Sequence, residues 1–175
     1  MRLIIIILSL NTLAFGQTSK DNKVGEKIDG IFFGKGKKTR ATSVKTQEGK
    51  GNPLEDGTPA EYEITFSDSK LKPIKVGCCE VILINEGDLN NDGTDEISIY
   101  QAPMNGCTYS MTTYSFINGN WKQIVKPFLI PTGCSELSNA ELQNRIFLQN
   151  KKIYYYDTIS DEDNGKLRLK KVLVQ

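Results

Sequence analysis

The residues best placed to do chemistry lie in one short stretch, Gly87-Asp88-Leu89-Asn90-Asn91-Asp92-Gly93-Thr94-Asp95-Glu96-Ile97-Ser98-Ile99. Counted from Asp88, oxygen-bearing side chains fall at positions 1, 3 and 5, glycine falls at 6, and acids fall at 8 and 9. Alternate residues of a tight loop aim inward, so Asp88, Asn90 and Asp92 are expected to present oxygens to one point. Gly93 permits the sharp turn, Thr94 offers its carbonyl and Glu96 closes the shell. That is a donor set for a hard cation, and calcium, which takes about six to eight oxygens, is the ion expected. The stretch is not an EF-hand. Position 12 is Ile99 instead of a bidentate acid, and the flanks at 81–84 and 97–100 read as strands.

The rest of the chain excludes most other chemistry. It has 175 residues, 22 basic and 21 acidic side chains, four cysteines and no histidine. Without imidazole there is no Ser-His-Asp or Cys-His nucleophile and no histidine-ligated metal. Glycoside hydrolysis needs two carboxyls facing each other across about 5–10 Å, whereas Asp88, Asp92, Asp95 and Glu96 share one loop and face a common point. No run marks a strained nucleophile turn. A near-zero net charge lacks the basic footprint that a phosphate backbone requires, so nucleic acid is not an expected partner.

The first 16 residues read as a secretory signal peptide. Arg2 gives the positive end, residues 3–13 a short apolar run, and Ala14-Phe15-Gly16 a small-x-small cleavage site. The run falls short of the roughly 20 apolar residues that span a bilayer, so no membrane span is expected. The mature chain then carries no formal net charge, and its place is secreted or periplasmic. Residues 17–27 read as a flexible polar leader, and 28–175 as a single β-rich domain.

Export makes Cys78, Cys79, Cys107 and Cys134 a disulfide framework rather than a metal or redox site. Neighbours on an extended strand point to opposite faces, so Cys78 and Cys79 are expected to reach different partners, Cys107 and Cys134 in either order. A vicinal bond between Cys78 and Cys79 is the alternative.

The elements that must position these groups are strands. Ile, Val, Thr, Tyr and Phe are plentiful, and no long segment shows a 3.6-residue apolar stripe. The expected class is all-β, with antiparallel hairpins in a small sandwich or a partial propeller-like sheet and at most one short helix. Residues 60–67 alternate cleanly, with Tyr62, Ile64 and Phe66 on one face. Residues 74–84 read as one buried strand carrying the cysteine pair, and 97–100 as the next. Asn118-Gly119 turns a hairpin that sets Phe116 opposite Trp121. A second hairpin, 145–149 with 152–158, turns at Asn150-Lys151 and pairs Phe147 with Tyr154. A third turns at Asp163-Asn164-Gly165 into a final strand at 167–174. Residues 137–144 are the one helical stretch, capped by Ser135, and 47–59 read as a loop.

The loop resembles the calcium loop of FG-GAP and VCBS-type repeats, whose pattern is Asp-x-Asn/Asp-x-Asp-Gly-x-x-Asp followed by an apolar strand. The resemblance spans about 40 residues, 81–122, and takes in the hairpin Tyr114-x-Phe116-Ile117-Asn118-Gly119-Asn120-Trp121. It implies that Asp88, Asn90, Asp92 and Glu96 are ligands, with glutamate replacing the usual aspartate, and Thr94 the carbonyl donor. With a single copy of the loop, an integrin-like propeller is not expected.

The function expected is a calcium-braced, disulfide-bonded binding module without catalytic activity, in which the ion is structural and the partner is a protein or a surface glycan. The alternative is an inhibitor or immunity-type protein that binds an enzyme through Tyr154, Tyr155 and Tyr156.

Overall fold

The computed structural model describes residues 22–34, 36–158 and 166–172. The expected signal peptide and the turn at 163–165 lie outside these residues. In chain order the strands are β1 (Val24–Gly25), β2 (Lys27–Gly30), β3 (Thr39–Gln47), β4 (Glu61–Phe66), β5 (Ile74–Gly77), β6 (Val81–Gly87), β7 (Glu96–Gln101), β8 (Thr108–Ile117) and β9 (Asn120–Pro131). After the helix α1 (Asn139–Gln143) come β10 (Ile146–Gln149), β11 (Lys152–Thr158) and β12 (Leu167–Lys171). The class is all-β. The strands form three antiparallel sheets ordered β1-β6-β7-β8-β9, β2-β3-β4-β5 and β10-β11-β12. No helix among the described residues is long and apolar enough to cross a membrane.

The five-stranded sheet is the middle layer. Every residue of β7 from Glu96 to Tyr100 is buried, which requires cover on both faces. On one face Leu83, Ile97 and Ile99 pack with Ile28, Ile64 and Ile74 of the four-stranded sheet. On the other, Ile84, Tyr100 and Met111 pack with Leu142 of α1 and with Ile146 and Ile153 of the three-stranded sheet. Burying one such aliphatic side chain is worth about 1.5–3 kcal/mol, so β6 and β7 hold all three layers. Trp121 fastens the first interface. Its ring stacks on Phe66 at 4.9 Å and meets Phe116 edge-on at 5.1 Å, and its Nε1 donates to the Lys72 carbonyl at 2.9 Å.

Two expected hairpins are present in register. Phe116 pairs with Trp121 across Asn118 (φ 52°) and Gly119 (φ 78°), and Phe147 pairs with Tyr154 across Asn150 (φ 50°) and Lys151 (φ 57°). Left-handed φ at both central residues matches the twist of the flanking strands. β12 follows as the third strand of that sheet.

Other expectations are corrected. Residues 74–84 are two strands in different sheets, because Gly77 (φ 79°) ends β5 and the chain turns there before β6 begins. Cys78 and Cys79 occupy that corner, where the peptide bond between them is cis and their sulfurs form a vicinal disulfide, while Cys107 is disulfide-bonded to Cys134. The expected long-range pairs fail for a local reason: opposite-face alternation holds within a strand, and these two residues lie between strands. Within the expected leader, Val24 and Gly25 pair with Ile84 and Leu83, and Lys27 opens β2. The helix cap is Ser138, not Ser135. Ser138 forms a capping box with Glu141, whose carboxylate accepts the Ser138 N–H at 2.8 Å.

The Cys107–Cys134 bond closes a span of 27 residues, worth about 3.5 kcal/mol in the chain-entropy model. Replacing both cysteines by serine is therefore expected to lower the unfolding free energy by about 2–4 kcal/mol in urea denaturation. Peptide mapping without reduction is expected to join Cys107 to Cys134 and neither of them to residues 78 or 79.

Candidate metal centre

The loop between β6 and β7 is built from its own side chains. Asp88 accepts the Asp92 N–H through Oδ1 at 3.1 Å and the Gly93 N–H through Oδ2 at 2.9 Å. Asn90 Oδ1 accepts the Asp92 N–H at 2.8 Å, and Asp92 Oδ1 accepts the Thr94 N–H and hydroxyl at 2.8 and 2.5 Å. Each is a short polar side chain turning the backbone just ahead of it, the usual use of Asp and Asn in tight loops. Gly93 completes the turn at φ 88°.

Glu96 lies beneath the loop and is fully buried. Its Oε2 accepts the Leu89 N–H at 2.5 Å and its Oε1 accepts from Asn90 Nδ2 at 2.9 Å. The same Nδ2 stands 3.0 Å from Asp92 Oδ2 and 2.9 Å from Ser115 Oγ. An amide has two hydrogens, so three acceptors converge on a donor that fully serves two. Of the five expected ligands, Asn90, Asp92 and Glu96 are thus brought together, while Asp88 and Thr94 flank them and touch Asp92. Among the described residues no group of three or more His, Cys, Asp or Glu side chains is assembled for a metal ion. A shell at this loop therefore depends on the Asn90 amide and the Thr94 carbonyl as well as on carboxylates. The donor chemistry, all oxygen and within one loop, fits calcium.

Asp95 has a different role. Its N–H donates to the Ile31 carbonyl at 2.8 Å, and its Oδ2 accepts the Ile31 N–H at 2.8 Å and Asn85 Nδ2 at 3.1 Å. Asn85 Nδ2 also donates to the Asp29 carbonyl at 2.8 Å. Gly30 permits this approach, because a Cβ there would stand 2.6 Å from Asn85 Nδ2 and 2.6 Å from the Phe32 ring. Asp95 thereby lashes the loop to the segment after β2.

A further set of polar groups lies below the loop on the face of the middle sheet that carries Tyr100. Ser98, Thr113 and Ser115 are fully buried, and the Ser98 and Thr113 hydroxyls meet at 2.8 Å. Glu86 joins them from a bulge, where Asn85 opposes Ile97 and Gly87 opposes Glu96. A bulge re-aims one side chain off the regular alternation. Glu86 Oε1 is sequestered without a hydrogen-bond partner. Burial pushes the Glu86 carboxyl up to about 8, with Glu96 adding to the rise and Ser98 opposing it. Burial likewise pushes Glu96 up to about 7 against its hydrogen bonds from Leu89 and Ser115, with Asp92 and Asp88 adding to the rise. Glu86 and Asp88 also line a cavity of about 500 Å³ that reaches Gln143, Asn144 and Phe147. Sequence reasoning missed this cluster, whose members come from β6, β7 and β8. The only sequence signal was polar residues at 98, 113 and 115 among apolar neighbours.

Removing Glu96 leaves the buried Leu89 N–H without its acceptor, which costs more than removing an exposed ligand. With chelator present, Glu96→Ala is expected to destabilise by about 2–3 kcal/mol and Asp92→Ala by less than about 1 kcal/mol in urea denaturation. The chain matches no protein-family model, no curated protein and no solved structure.

Proposed function

We propose that the protein is a calcium-braced, disulfide-bonded binding module without catalytic activity, secreted or periplasmic, whose ion orders the β6–β7 connection instead of activating water. The observation that carries this reading is the convergence of Asp92 Oδ2 and Glu96 Oε1 on the single amide of Asn90. Two carboxylates directed at one neutral donor are short of positive charge, and a divalent cation held by Asp88, Asn90, Asp92, Glu96 and the Thr94 carbonyl supplies it. Two disulfides support an oxidising compartment. The acids of the loop are engaged by their own backbone and by Asn90 rather than facing one another across a cleft, which favours bracing over hydrolysis.

Calcium modules of extracellular type bind with dissociation constants of about 0.1–1 mM, so ~1 mM calcium is expected to stabilise by roughly 0.4–1.4 kcal/mol. Thermal melting in calcium and in chelator, with titration calorimetry, measures it. Asp92→Ala is expected to remove the shift, and superimposable curves without binding heat in the unmodified protein would refute the metal reading. Glu96→Gln is expected to weaken calcium binding while leaving binding of a partner intact at saturating calcium. Turnover of a glycan, peptide or phosphoester that Glu96→Gln abolishes in a folded protein would make it an enzyme.

A further inference from the structure

The three-stranded sheet β10-β11-β12 has two unlike faces. Ile146, Ile153 and Tyr155 point inward, Tyr155 against Phe128 at 4.6 Å. Register puts Phe147 opposite Tyr154, Tyr154 opposite Lys171, and Tyr156 opposite Leu169 on the outward face. The Phe147 ring lies 6.0 Å from Tyr154 and 5.6 Å from Tyr156, with interplanar angles of 20° and 38°. Leu169, 48 % exposed, extends this strip. Three rings and a leucine held side by side on a solvent-facing sheet form an apolar patch of the kind that marks an interaction site.

Its electrostatics are one-sided. The one acid in these three strands, Asp157, is buried on the inward face and paired with Arg168 and Lys170. Lys152 and Lys171, on the outward face, have no ion-pair partner among the described residues. Among the described residues, the strip is bordered by positive charge from Lys152 and Lys171.

We propose that this outward face is a docking surface for an acidic polysaccharide, a partner class that rests on the binding-module reading above. The C–H face of a pyranose ring packs on an aromatic face, where partial positive hydrogens meet the negative π-surface, and Lys152 and Lys171 pair with the carboxylates of uronic acid units. Single-stranded nucleic acid also stacks on aromatic rings along basic grooves. It is the less suited ligand, because two lysines neutralise few phosphates and the forked guanidinium that matches phosphate is not on this face.

The test is affinity electrophoresis of the full chain, in chelator, through gels containing hyaluronan, dextran or poly(dT). Hyaluronan is expected to retard the protein and dextran is not. Tyr154→Ala with Tyr156→Ala, and separately Lys152→Gln with Lys171→Gln, are each expected to weaken retardation about tenfold, with melting curves establishing that each variant is folded. No retardation by hyaluronan, retardation that neither folded variant alters, or stronger retardation by poly(dT) would overturn the proposal. The calcium shift in melting is read on the same samples. A shift without retardation removes the docking surface and leaves the metal reading standing, whereas hyaluronan cleavage in the gel would remove the non-catalytic reading itself.

Discussion

The fold depends on burying one sheet on both of its faces. β7 has no solvent side, so Ile97 and Ile99 face one core and Tyr100 the other. A strand in that position must satisfy every polar group within the protein, because an unpaired buried group costs about 1–3 kcal/mol. The apolar part of β7 meets this through its ladders to β6 and β8. At the end next to the loop, where Glu96 and Ser98 enter the interior, the structure supplies Leu89, Asn90, Thr113 and Ser115 as partners.

That polar end explains the form of the loop above it. The loop does not hang free between two strands, since Glu96 holds it from below through the Leu89 N–H, and Asp95 ties it sideways to Ile31. Leu89 itself is buried in the core, so the backbone of the candidate metal centre is fixed by packing and hydrogen bonds that need no ion. Under the calcium reading proposed above, side chains already gathered there would lower the ordering cost of binding an ion. The raised carboxyls of Glu86 and Glu96 have the same origin, burial of two acids in one small region.

Acids concentrate where the middle sheet ends at the loop, and two lysines, Lys152 and Lys171, stand on the outward side of the three-stranded sheet. The cavity beside Glu86 reaches Phe147, the residue at which the aromatic strip begins.

Features that depend on a few consecutive residues were legible in the sequence. Left-handed turn residues at 118–119 and 150–151 set the registers that pair Phe116 with Trp121 and Phe147 with Tyr154. Alternation placed Ile64 inward. Tertiary structure decided whatever depends on residues distant in sequence. The cysteine pairing followed from Cys78 and Cys79 standing at a corner between two sheets, which alternation within an assumed strand cannot reveal. The lash from Asp95 to Ile31, and the buried group of Glu86, Ser98, Thr113 and Ser115, arise because antiparallel pairing and stacked layers bring together residues whose separation in the chain carries no local signal.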